Sequence, residues 1–196
     1  MSTKKVNMRS ISVTAFAPAS VGNVCVGFDI LGMALEGVGD QVTLTLRKDS
    51  SEIRISDVTG VIVSLPKDAR QNTAGAALLA MQDDLKFNFG FDVAIHKGIP
   101  FGSGMGGSAA SAVAAAVAAS AIYQRVTKKK LSLEKLFTYA LEGERIAAGA
   151  AHPDNVAPCL YGGLTLSSPL FSQPVHRVPM AKGLACVLVH PEVQVD

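Results

Sequence analysis

A glycine-rich stretch that leads directly into a run of alanines is the part of the sequence best suited to chemistry. It extends from Gly98 to Ser111 and reads Gly-Ile-Pro-Phe-Gly-Ser-Gly-Met-Gly-Gly-Ser-Ala-Ala-Ser. Glycine permits positive φ angles and close approach of a ligand to the backbone, and alanine is the strongest helix former. The start of a helix offers unpaired N–H groups and the positive end of the helix dipole, which suit a phosphate group. The sequence therefore predicts a site for a phosphorylated ligand.

Three well-known phosphate loops do not fit this stretch. A Walker A loop requires a lysine after its last glycine, whereas Gly107 is followed by Ser108. The pattern Gly102-x-Gly104-x-x-Gly107 matches a dinucleotide fingerprint, but no acidic residue follows about 20 positions later. The glycine loop of protein kinases requires His-Arg-Asp and Asp-Phe-Gly motifs as well, and neither occurs. The residues after the loop thus argue against a dinucleotide-dependent oxidoreductase.

Two clusters of polar residues interrupt otherwise apolar sequence. The first contains Asn23 and Asp29 and, taken alone, is typical of a turn between two strands. The second runs from His152 to Asn155 and lies between two apolar runs. Its residue types fit a capped turn, but loops held by rigid elements are also where binding sites are found. From the residues alone, a turn and a site stay open for each cluster.

The elements that must position these residues are indicated by hydrophobic periodicity and by capping residues. Predicted strands cover 10–16, 41–46, 53–55, 58–65, 91–95, 164–166 and 184–189. Predicted helices cover 72–84, 108–126 and 133–148, the last with Ser132 and Gly149 as caps. A loop is expected over 17–27. Because strands and helices do not alternate in a regular βαβ order, the predicted fold class is α+β rather than a doubly wound sheet.

One carboxylate lies on the apolar face of the third predicted helix. At about 100° per residue, Glu144 falls within an apolar stripe, whereas Glu142 lies on the opposite face. A carboxylate that faces the core is costly unless it is paired, protonated or bound to a metal ion. A buried ion pair with an arginine and a role as a ligand fit equally well. The stripe consists of Leu133, Leu136, Phe137, Ala140, Ala147 and Ala148.

Composition narrows the function classes. The chain has 196 residues, of which 48% are hydrophobic, enough for one packed domain or for one domain and part of another. Its net charge of +2 gives no reason to expect nucleic acid as a partner. Residues 98–124 carry no charge, but the glycines and weakly apolar alanines favour a buried helix over a membrane span. Cys25, Cys159 and Cys186 lack metal-site spacing and fit reduced thiols in a cytosolic protein.

Three motifs resemble those of the GHMP small-molecule kinases, a family named after galactokinase, homoserine kinase, mevalonate kinase and phosphomevalonate kinase. Pro100-Phe-Gly-Ser-Gly-Met-Gly-Gly-Ser-Ala109 is similar to the family signature Pro-x-x-x-Gly-Leu-Gly-Ser-Ser-Ala. The other two are Ala17-Pro-Ala-Ser-x-Gly-Asn-x-x-x-Gly-Phe-Asp29, and His152-x-Asp-Asn-Val-Ala-Pro158 followed by Gly162-Gly163. Within the family, these two motifs are most similar to those of the homoserine kinases.

The sequence departs from the family pattern at three positions. Met105 stands in place of a leucine, Gly107 in place of a serine, and Pro153 in place of a commonly small residue. The first two leave the backbone of the loop and Ser108 intact. Pro153 should stiffen the substrate loop.

The resemblance implies a particular fold and domain organisation. It implies a mixed or antiparallel sheet packed with helices and containing a left-handed β-α-β unit. Residues 1–180 would form the ATP-binding N-terminal domain, and 181–196 would begin a C-terminal ferredoxin-like domain that is largely absent. We therefore expect an incomplete form of the enzyme that binds nucleotide weakly, turns over poorly and exposes apolar surface.

The resemblance also implies a nucleotide site. Loop N–H groups would surround the phosphates of ATP, and Asn72 and Lys97 would lie near the nucleotide. Ser108 and Glu144 would ligate Mg²⁺, which would explain a carboxylate in an apolar stripe. The implied loop residues are Pro100, Phe101, Gly102, Ser103, Gly104, Met105, Gly106, Gly107, Ser108, Ala109 and Ala110.

For the substrate, the resemblance implies phosphorylation of the hydroxyl of L-homoserine, a step toward threonine. Asn23, Asp29, His152 and Asp154 would hold homoserine, with Asp29 facing its ammonium group. Asn155 would orient the attacking hydroxyl, so that Asn155 and Asp29 are the expected catalytic residues, and no dedicated base is expected. The resemblance further implies a cytoplasmic homodimer without nucleic-acid or membrane partners. Another GHMP kinase and a non-catalytic nucleotide-binding module are the alternatives.

Overall fold

A six-stranded mixed sheet packed with helices forms the framework of the site. The structure is a computed structural model that describes residues 11–24, 27–183 and 185–189. The strands are β1 (Ser12–Val21), β2 (Leu31–Arg47), β3 (Ile53–Gly60), β4 (Gly90–Lys97), β5 (Leu164–Ser167) and β6 (Val175–Val178). The helices are α1 (Thr73–Leu85), α2 (Gly107–Thr127), α3 (Leu133–Ala148) and α4 (Pro153–Tyr161). The predicted α+β class is confirmed.

The long strand β2 connects the two halves of the sheet, whose order is β3-β4-β2-β5-β6 with β1 also paired to β2. Residues 41–47 of β2 pair antiparallel with β4, whereas residues 31–33 pair antiparallel with β5. The alternating residues 41–46 were sufficient to predict the second half of this strand. Its first half contains Gly32, Gly37 and Gly39 and has no such alternation.

The chain enters the glycine-rich stretch from a β-α-β unit. Strands β3 and β4 are parallel neighbours, and α1 lies between them in the chain. This is the β-α-β unit that the resemblance implied, and its handedness stays a prediction. Strand β4 ends at Lys97, so the loop from Gly98 begins directly at the edge of the sheet.

Helix α2 is a core helix. Its 18-residue apolar stretch is long enough to cross a membrane, yet 67% of that stretch is buried inside the domain. Small residues allow close packing around it: a Cβ at Gly143 of α3 would meet the backbone oxygen of Thr73 and the Cβ of Ala112. The alanine-rich sequence thus allows α1, α2 and α3 to pack closely, as predicted for a buried helix.

Helix α3 has the predicted bounds and caps. The Ser132 hydroxyl accepts a hydrogen bond from the amide of Lys135 at 3.3 Å, and Gly149 ends the helix with a φ of +71°. Three of the four stripe residues whose side chains the structure describes are buried, but Leu133 is 48% exposed because it occupies the first turn. The side chains of Ala147 and Ala148 lie outside the described part of the structure. The buried members are Leu136, Phe137 and Ala140, together with Glu144.

The predicted loop over 17–27 is wrong over its first five residues, because β1 continues to Val21. Pro18 lies inside this strand. It has no N–H to donate, and the register between β1 and β2 shifts between Pro18 and Ser20. Cys25 and Val26 lie outside the described residues. The added strand length brings Ser20 to the glycine-rich loop.

Two other predicted strands differ from the structure. Strand β3 ends at Gly60, whose φ is +98°, so that 61–65 is not a strand. Residues 185–189 pair with no strand of the described chain and have no regular secondary structure, since extended backbone requires a neighbour to form a sheet. Leu184 lies outside the described residues. The domain predicted to begin at 181–196 stays a prediction.

Candidate functional site

A cavity of about 470 Å³ opens above the glycine-rich loop. The loop, the start of α2, the start of α1 and α3 contribute to its wall, and Phe101 lies at its mouth with 74% of its surface exposed. The lining residues are Ile62, Leu65, Pro66, Gln71, Asn72, Thr73, Lys97, Ile99, Pro100, Phe101, Gly102, Ser103, Gly104, Met105, Gly106, Gly107, Ser108, Ser111, Glu144 and Asn155.

The loop has the backbone conformation that its glycines predict. Gly102, Gly104 and Gly106 have φ angles of +65°, +68° and +64°, a region that L-residues adopt at a cost. The loop is also held by β1, because the amide of Ser20 donates to the carbonyl of Met105 at 3.1 Å. The shape of the loop therefore follows from the positive φ angles of its glycines, and the hydrogen bond from Ser20 anchors the loop to the sheet.

The N-terminus of α2 points unpaired amides toward the cavity. Gly106 is the N-cap and supplies no side-chain partner, so the amides of Gly107, Ser108 and Ala109 have no acceptor within the helix. The amide of Ala110 donates to the carbonyl of Gly106 at 2.9 Å. Ala109 and Ala110 are fully buried and do not line the cavity. Of the loop residues implied by the resemblance, Ala110 thus offers a ligand neither its side chain, which is buried, nor its amide, which donates within the helix.

Glu144 lies in the wall of the cavity and is 5% exposed. None of the ion pairs among the described residues includes it, so no arginine in that part of the chain makes the pairing considered from sequence. Its Oε2 atom is buried and has no hydrogen-bond partner in the described part of the chain. Burial raises the pKa of this carboxyl, and the nearby hydroxyl of Ser108 opposes that rise. A buried carboxylate oxygen without a partner, beside a hydroxyl, fits a hard divalent cation.

Lys97 lines the cavity, but its ammonium group contacts the protein. It is 4% exposed and forms an ion pair with Asp40, which is fully buried. Its Nζ also donates to the carbonyl of Gly107 at 2.7 Å and to the hydroxyl of Ser111 at 3.0 Å. The family resemblance implied a position of Lys97 near the nucleotide, which stays a prediction, and the structure shows that its charge is neutralised by a carboxylate.

Asn72 also lines the cavity, and it caps α1. Its Oδ1 accepts from the amides of Ala74 and Gly75 at 3.1 and 3.2 Å, and its Nδ2 donates to the carbonyl of Pro66 at 3.0 Å. These contacts join α1 to the segment that forms another wall of the cavity. Asn72 lines the cavity in which a nucleotide is expected, although its polar atoms already have protein partners.

The predicted substrate residues are brought together by hydrogen bonds. The Oδ2 atom of Asp154 accepts from the amide of Asn23 at 3.1 Å, and the Oδ1 atom of Asn23 accepts from the amide of Asp29 at 2.8 Å. Asn23 and Asp29 both have positive φ, at 56° and 59°. Asp29 is exposed, whereas Asp154 is 1% exposed and its Oδ1 atom has no partner among the described residues. The turn expected at Asn23 is therefore present and contacts the second polar cluster, and its role as a substrate site stays a prediction.

The cluster from His152 to Asn155 is the start of a helix and not a loop. His152 is the N-cap of α4, and its carbonyl accepts from the amides of Asn155 and Val156 at 3.3 and 3.4 Å. Pro153 occupies the first turn, where proline is favoured because its missing N–H would have no acceptor. The proline and the acidic Asp154 were signals of a helix start that the sequence contained.

Asn155 joins the polar cluster to the cavity. It follows Asp154 in α4 and lines the cavity, and its Oδ1 accepts from the hydroxyl of Ser20 at 3.1 Å. A Cβ at Gly106 would collide with Ser20 and would lie 3.0 Å from Oδ1 of Asn155. The glycine at position 106 therefore allows Asn155 to approach the loop backbone.

Several residues of the site were not found from the sequence. Asp40 and Ser20 gave no signal, because their partners lie far away in the chain. Ile62, Leu65 and Pro66 were assigned in part to a strand, although they form an apolar wall of the cavity. The apolar run at 58–65 does not show from its sequence that β3 ends at Gly60. Without that end point, the residues after it could not be assigned to a cavity wall.

A family model matches the part of the chain that contains the glycine-rich loop. Residues 72–163 match the family model described as the GHMP kinases N terminal domain. This range begins at the N-cap of α1 and ends at Gly163, and it includes the loop, Glu144 and all of α4.

The curated relatives include homoserine kinases. That of Xylella fastidiosa (strain 9a5c) is 48% identical over 182 residues, which are 93% of this chain and 54% of that protein. That of Chlorobium phaeobacteroides (strain BS1) is 39% identical over 193 residues, which are 94% of this chain and 59% of that protein. The chain spans little more than half the length of these relatives.

Solved structures resemble the fold. A homoserine kinase from Cytophaga hutchinsonii matches with a TM-score of 0.78 and 39% identity, over 92% of this chain and 55% of the other. The L. major mevalonate kinase matches with a TM-score of 0.66 and 19% identity, over 88% of this chain and 53% of the other. The second likeness shows the fold alone. With its glycine-rich loop and these matches, the part of the chain from residue 72 to residue 163 matches the N-terminal domain of the GHMP kinases.

Proposed function

We propose that this chain carries the ATP and homoserine sites of an enzyme that transfers the γ-phosphoryl group of ATP to the hydroxyl of L-homoserine. The observation that carries the proposal is the position of Asn155, which lies on the wall of the phosphate cavity and next to Asp154 of the polar cluster. A phosphate donor and an alcohol acceptor could therefore meet at one residue. The identity of 48% to a homoserine kinase supports this choice of acceptor.

The loop and the start of α2 would bind the phosphates of ATP. Amides at the start of a helix, together with the helix dipole, stabilise negative charge. Phosphoryl transfer depends mainly on positioning and on charge stabilisation, so preorganised amides contribute directly to the rate. The apolar residues Ile62, Leu65 and Pro66 are placed to contact the nucleoside, since they line the same cavity.

The residues present fit a magnesium ion. The unpartnered Oε2 of Glu144 and the hydroxyl of Ser108 are oxygen ligands of the type that Mg²⁺ prefers. No group of three or more His, Cys, Asp or Glu residues suited to a metal is present among the described residues. This agrees with an ion held by one or two protein ligands together with substrate phosphates. When bound, Mg²⁺ supplies charge neutralisation for the phosphates.

The polar cluster would bind homoserine. Asp29 is exposed and carries a carboxylate that can pair with the ammonium group of the substrate. Because Ser20 already donates to Oδ1 of Asn155, the Nδ2 group of Asn155 stays available to orient the substrate hydroxyl. The hydroxyl oxygen forms a bond to the γ-phosphorus, the bond between this phosphorus and the bridging oxygen breaks, and ADP leaves. The hydroxyl proton is released without a dedicated base.

The test is a titration of the purified chain with ATP and Mg²⁺, and separately with NADH, each with and without L-homoserine. We expect weak binding of ATP alone, and phosphorus NMR after a long incubation should show O-phosphohomoserine formed slowly when homoserine is added, because an incomplete enzyme turns over poorly. The homoserine kinase of Xylella fastidiosa serves as the positive control. Binding of ATP without any product would instead support a nucleotide-binding module, and binding of NADH would contradict the proposal.

A variant separates the role of Asn155 from binding. Asn155→Ala should lose product formation while the dissociation constant for ATP changes by less than about threefold. Asn88→Ala, at an exposed asparagine before β4, is the matched control and should behave like the unsubstituted chain. A cytoplasmic location and a homodimer belong to the same proposal, and size-exclusion chromatography with light scattering checks the dimer.

A further inference from the structure

A buried ion pair lies directly beneath the glycine-rich loop. Asp40 is fully buried in β2, and Lys97 is 4% exposed at the end of the neighbouring strand β4. The Oδ2 atom of Asp40 accepts from Nζ of Lys97. Burying two charges is expensive unless their remaining hydrogen bonds are made. The other partners of the two side chains therefore show what the pair does.

Asp40 holds the first residues of the loop. Its Oδ1 atom accepts from the amides of Gly98 and Ile99 at 3.1 and 3.2 Å. These two residues immediately precede Pro100, where the wall of the cavity continues. A Cβ at Gly98 would collide with the carbonyl oxygen of Gly39, so β2 and the loop are in close contact. Hydrogen bonds to a charged acceptor are stronger than those to a neutral one.

Lys97 holds the other end of the loop. Its Nζ donates to the carbonyl of Gly107, the first residue of α2, and to the hydroxyl of Ser111 one turn later. The hydroxyl of Ser111 in turn donates to Oδ2 of Asp40 at 2.7 Å. An ammonium group has three N–H donors, and Asp40, Gly107 and Ser111 account for all three. None is left for a phosphate of a bound nucleotide.

The charge of the pair is suited to this place. A lone cation near the N-terminus of a helix opposes the helix dipole. Asp40 neutralises Lys97, so the pair fixes the backbone without a net positive charge that would oppose the helix dipole.

We propose that Asp40 and Lys97 act together as positioning residues that hold both ends of the phosphate loop, with Lys97 making no contact to the nucleotide. The proposal rests on the proposed function in so far as the loop binds the phosphates of ATP. It predicts that phosphate recognition, and not nucleoside recognition, depends on the pair. It also predicts that loss of one charge weakens ATP binding more than loss of both, because a single charge is then left buried without its partner.

The experiment compares Lys97→Met, Asp40→Asn and the double variant, with Lys86→Met as the matched control at an exposed lysine paired with Asp83. Calorimetry measures ATP with Mg²⁺, and adenosine as a ligand without phosphate. We expect each single variant to raise the dissociation constant for ATP by about tenfold or more, since each leaves a buried charge unpaired. The dissociation constant for adenosine should change by less than about twofold. The double variant should recover part of the lost affinity for ATP.

Hydrogen exchange of the free protein tests the same inference without a ligand. In Asp40→Asn, the amides of Gly98 and Ile99 should exchange about tenfold faster, since a charged acceptor becomes neutral. Amides of α3 should be unchanged. The double variant carries no buried charge at positions 40 and 97 and allows the measurement even if the single variants do not fold.

Three results would overturn the inference. The first is equal weakening of ATP and adenosine, as in a general loss of structure. The second is a double variant that binds ATP as weakly as Lys97→Met does, together with normal hydrogen exchange at Gly98 and Ile99 in Asp40→Asn. That result would indicate a direct contact between Lys97 and a phosphate. The third is normal ATP binding by both single variants. If the unsubstituted chain binds no ATP, the proposed function fails, and the exchange measurement alone then decides the inference.

Discussion

Asp154 accepts a hydrogen bond from the backbone N–H of Asn23 at 3.1 Å, although 131 positions separate the two residues in the chain. The bond connects the start of α4 to the turn that follows β1. Through the contact between Asn23 and Asp29, it also reaches the carboxylate proposed to hold the substrate ammonium group. The conformation of this turn therefore depends on a side chain in another element.

Loss of this bond should weaken homoserine binding more than ATP binding. In Asp154→Ala the Asn23 turn loses its acceptor, and we expect the homoserine dissociation constant to rise about tenfold. Asp154→Asn keeps an oxygen at the same place and should restore part of the affinity. Calorimetry with each ligand measures both effects. Asp83→Ala, at an exposed aspartate, serves as the control, and equal losses for the two ligands would contradict this role of Asp154.

An alanine at Gly106 should disturb the loop in two ways. It would adopt an unfavourable positive φ, which costs about 1 kcal/mol, and its Cβ would collide with Ser20, which adds about 1–3 kcal/mol. Gly149→Ala is the matched control, because Gly149 has a similar φ of +71° and open space around it. Chemical denaturation should show the larger loss of unfolding free energy for Gly106→Ala. Only that variant should lose ATP affinity, and similar losses in the two variants would argue against close packing at Gly106.

The stability of the magnesium-free protein should depend on the ionisation of Glu144. Burial raises the pKa of this carboxyl in the folded state, so the folded protein binds more protons than the unfolded chain between the two pKa values. Stability therefore falls as the pH rises through that interval, and the loss is complete above the folded pKa. Glu144→Gln should remove this dependence. Thermal unfolding between pH 4 and 8 in the presence of a chelator measures it.

The same variant tests the ligand role of Glu144. Magnesium with ATP should raise the melting temperature of the unsubstituted chain more than that of Glu144→Gln, since the ion compensates the buried charge. Glu142→Gln, at the carboxylate on the opposite face of α3, is the control. An equal rise in all three proteins would exclude Glu144 as a ligand.

Two cysteines should differ in reactivity. Burial raises the pKa of the Cys159 thiol to about 12, whereas Cys186 is exposed. Because the thiolate is the reactive form, iodoacetamide at pH 8 should modify Cys186 in the native protein and Cys159 only after denaturation. Peptide mass spectrometry assigns the modified residues. Rapid modification of Cys159 in the native protein would show that the contact between α4 and β1 opens readily.

Local signals made part of this structure predictable. The bounds of α3 followed from Ser132, Gly149 and the apolar stripe, because capping and periodicity act within a few residues. Glu144 was found for the same reason, as a charge within a local apolar pattern. The glycine-rich loop was recognised by its own composition. The family then supplied the roles of residues that no local pattern explains.

The remaining features depend on contacts distant in sequence. Asp40 lies in β2 just before the alternating residues 41–46, and its importance comes from Lys97, 57 positions later. The first strand was predicted to end at residue 16, but β1 continues because pairing with β2 resumes after the register shift between Pro18 and Ser20. The strand predicted at 184–189 followed from the local sequence, and a local pattern does not supply a pairing partner. Packing between distant segments decides these cases, and local propensity does not report it.

Strand β2 contacts both halves of the proposed site. A Cβ at Gly32 would collide with the backbone oxygen of Asp154, and Asp40 binds the start of the phosphate loop. The separation of the two halves of the proposed site therefore depends on the number of residues between these two positions of one strand. Substitutions between them would leave that spacing unchanged, whereas insertion or deletion of a residue would move the two halves relative to each other. The geometry of the proposed site thus depends on a residue count as well as on the identity of the side chains.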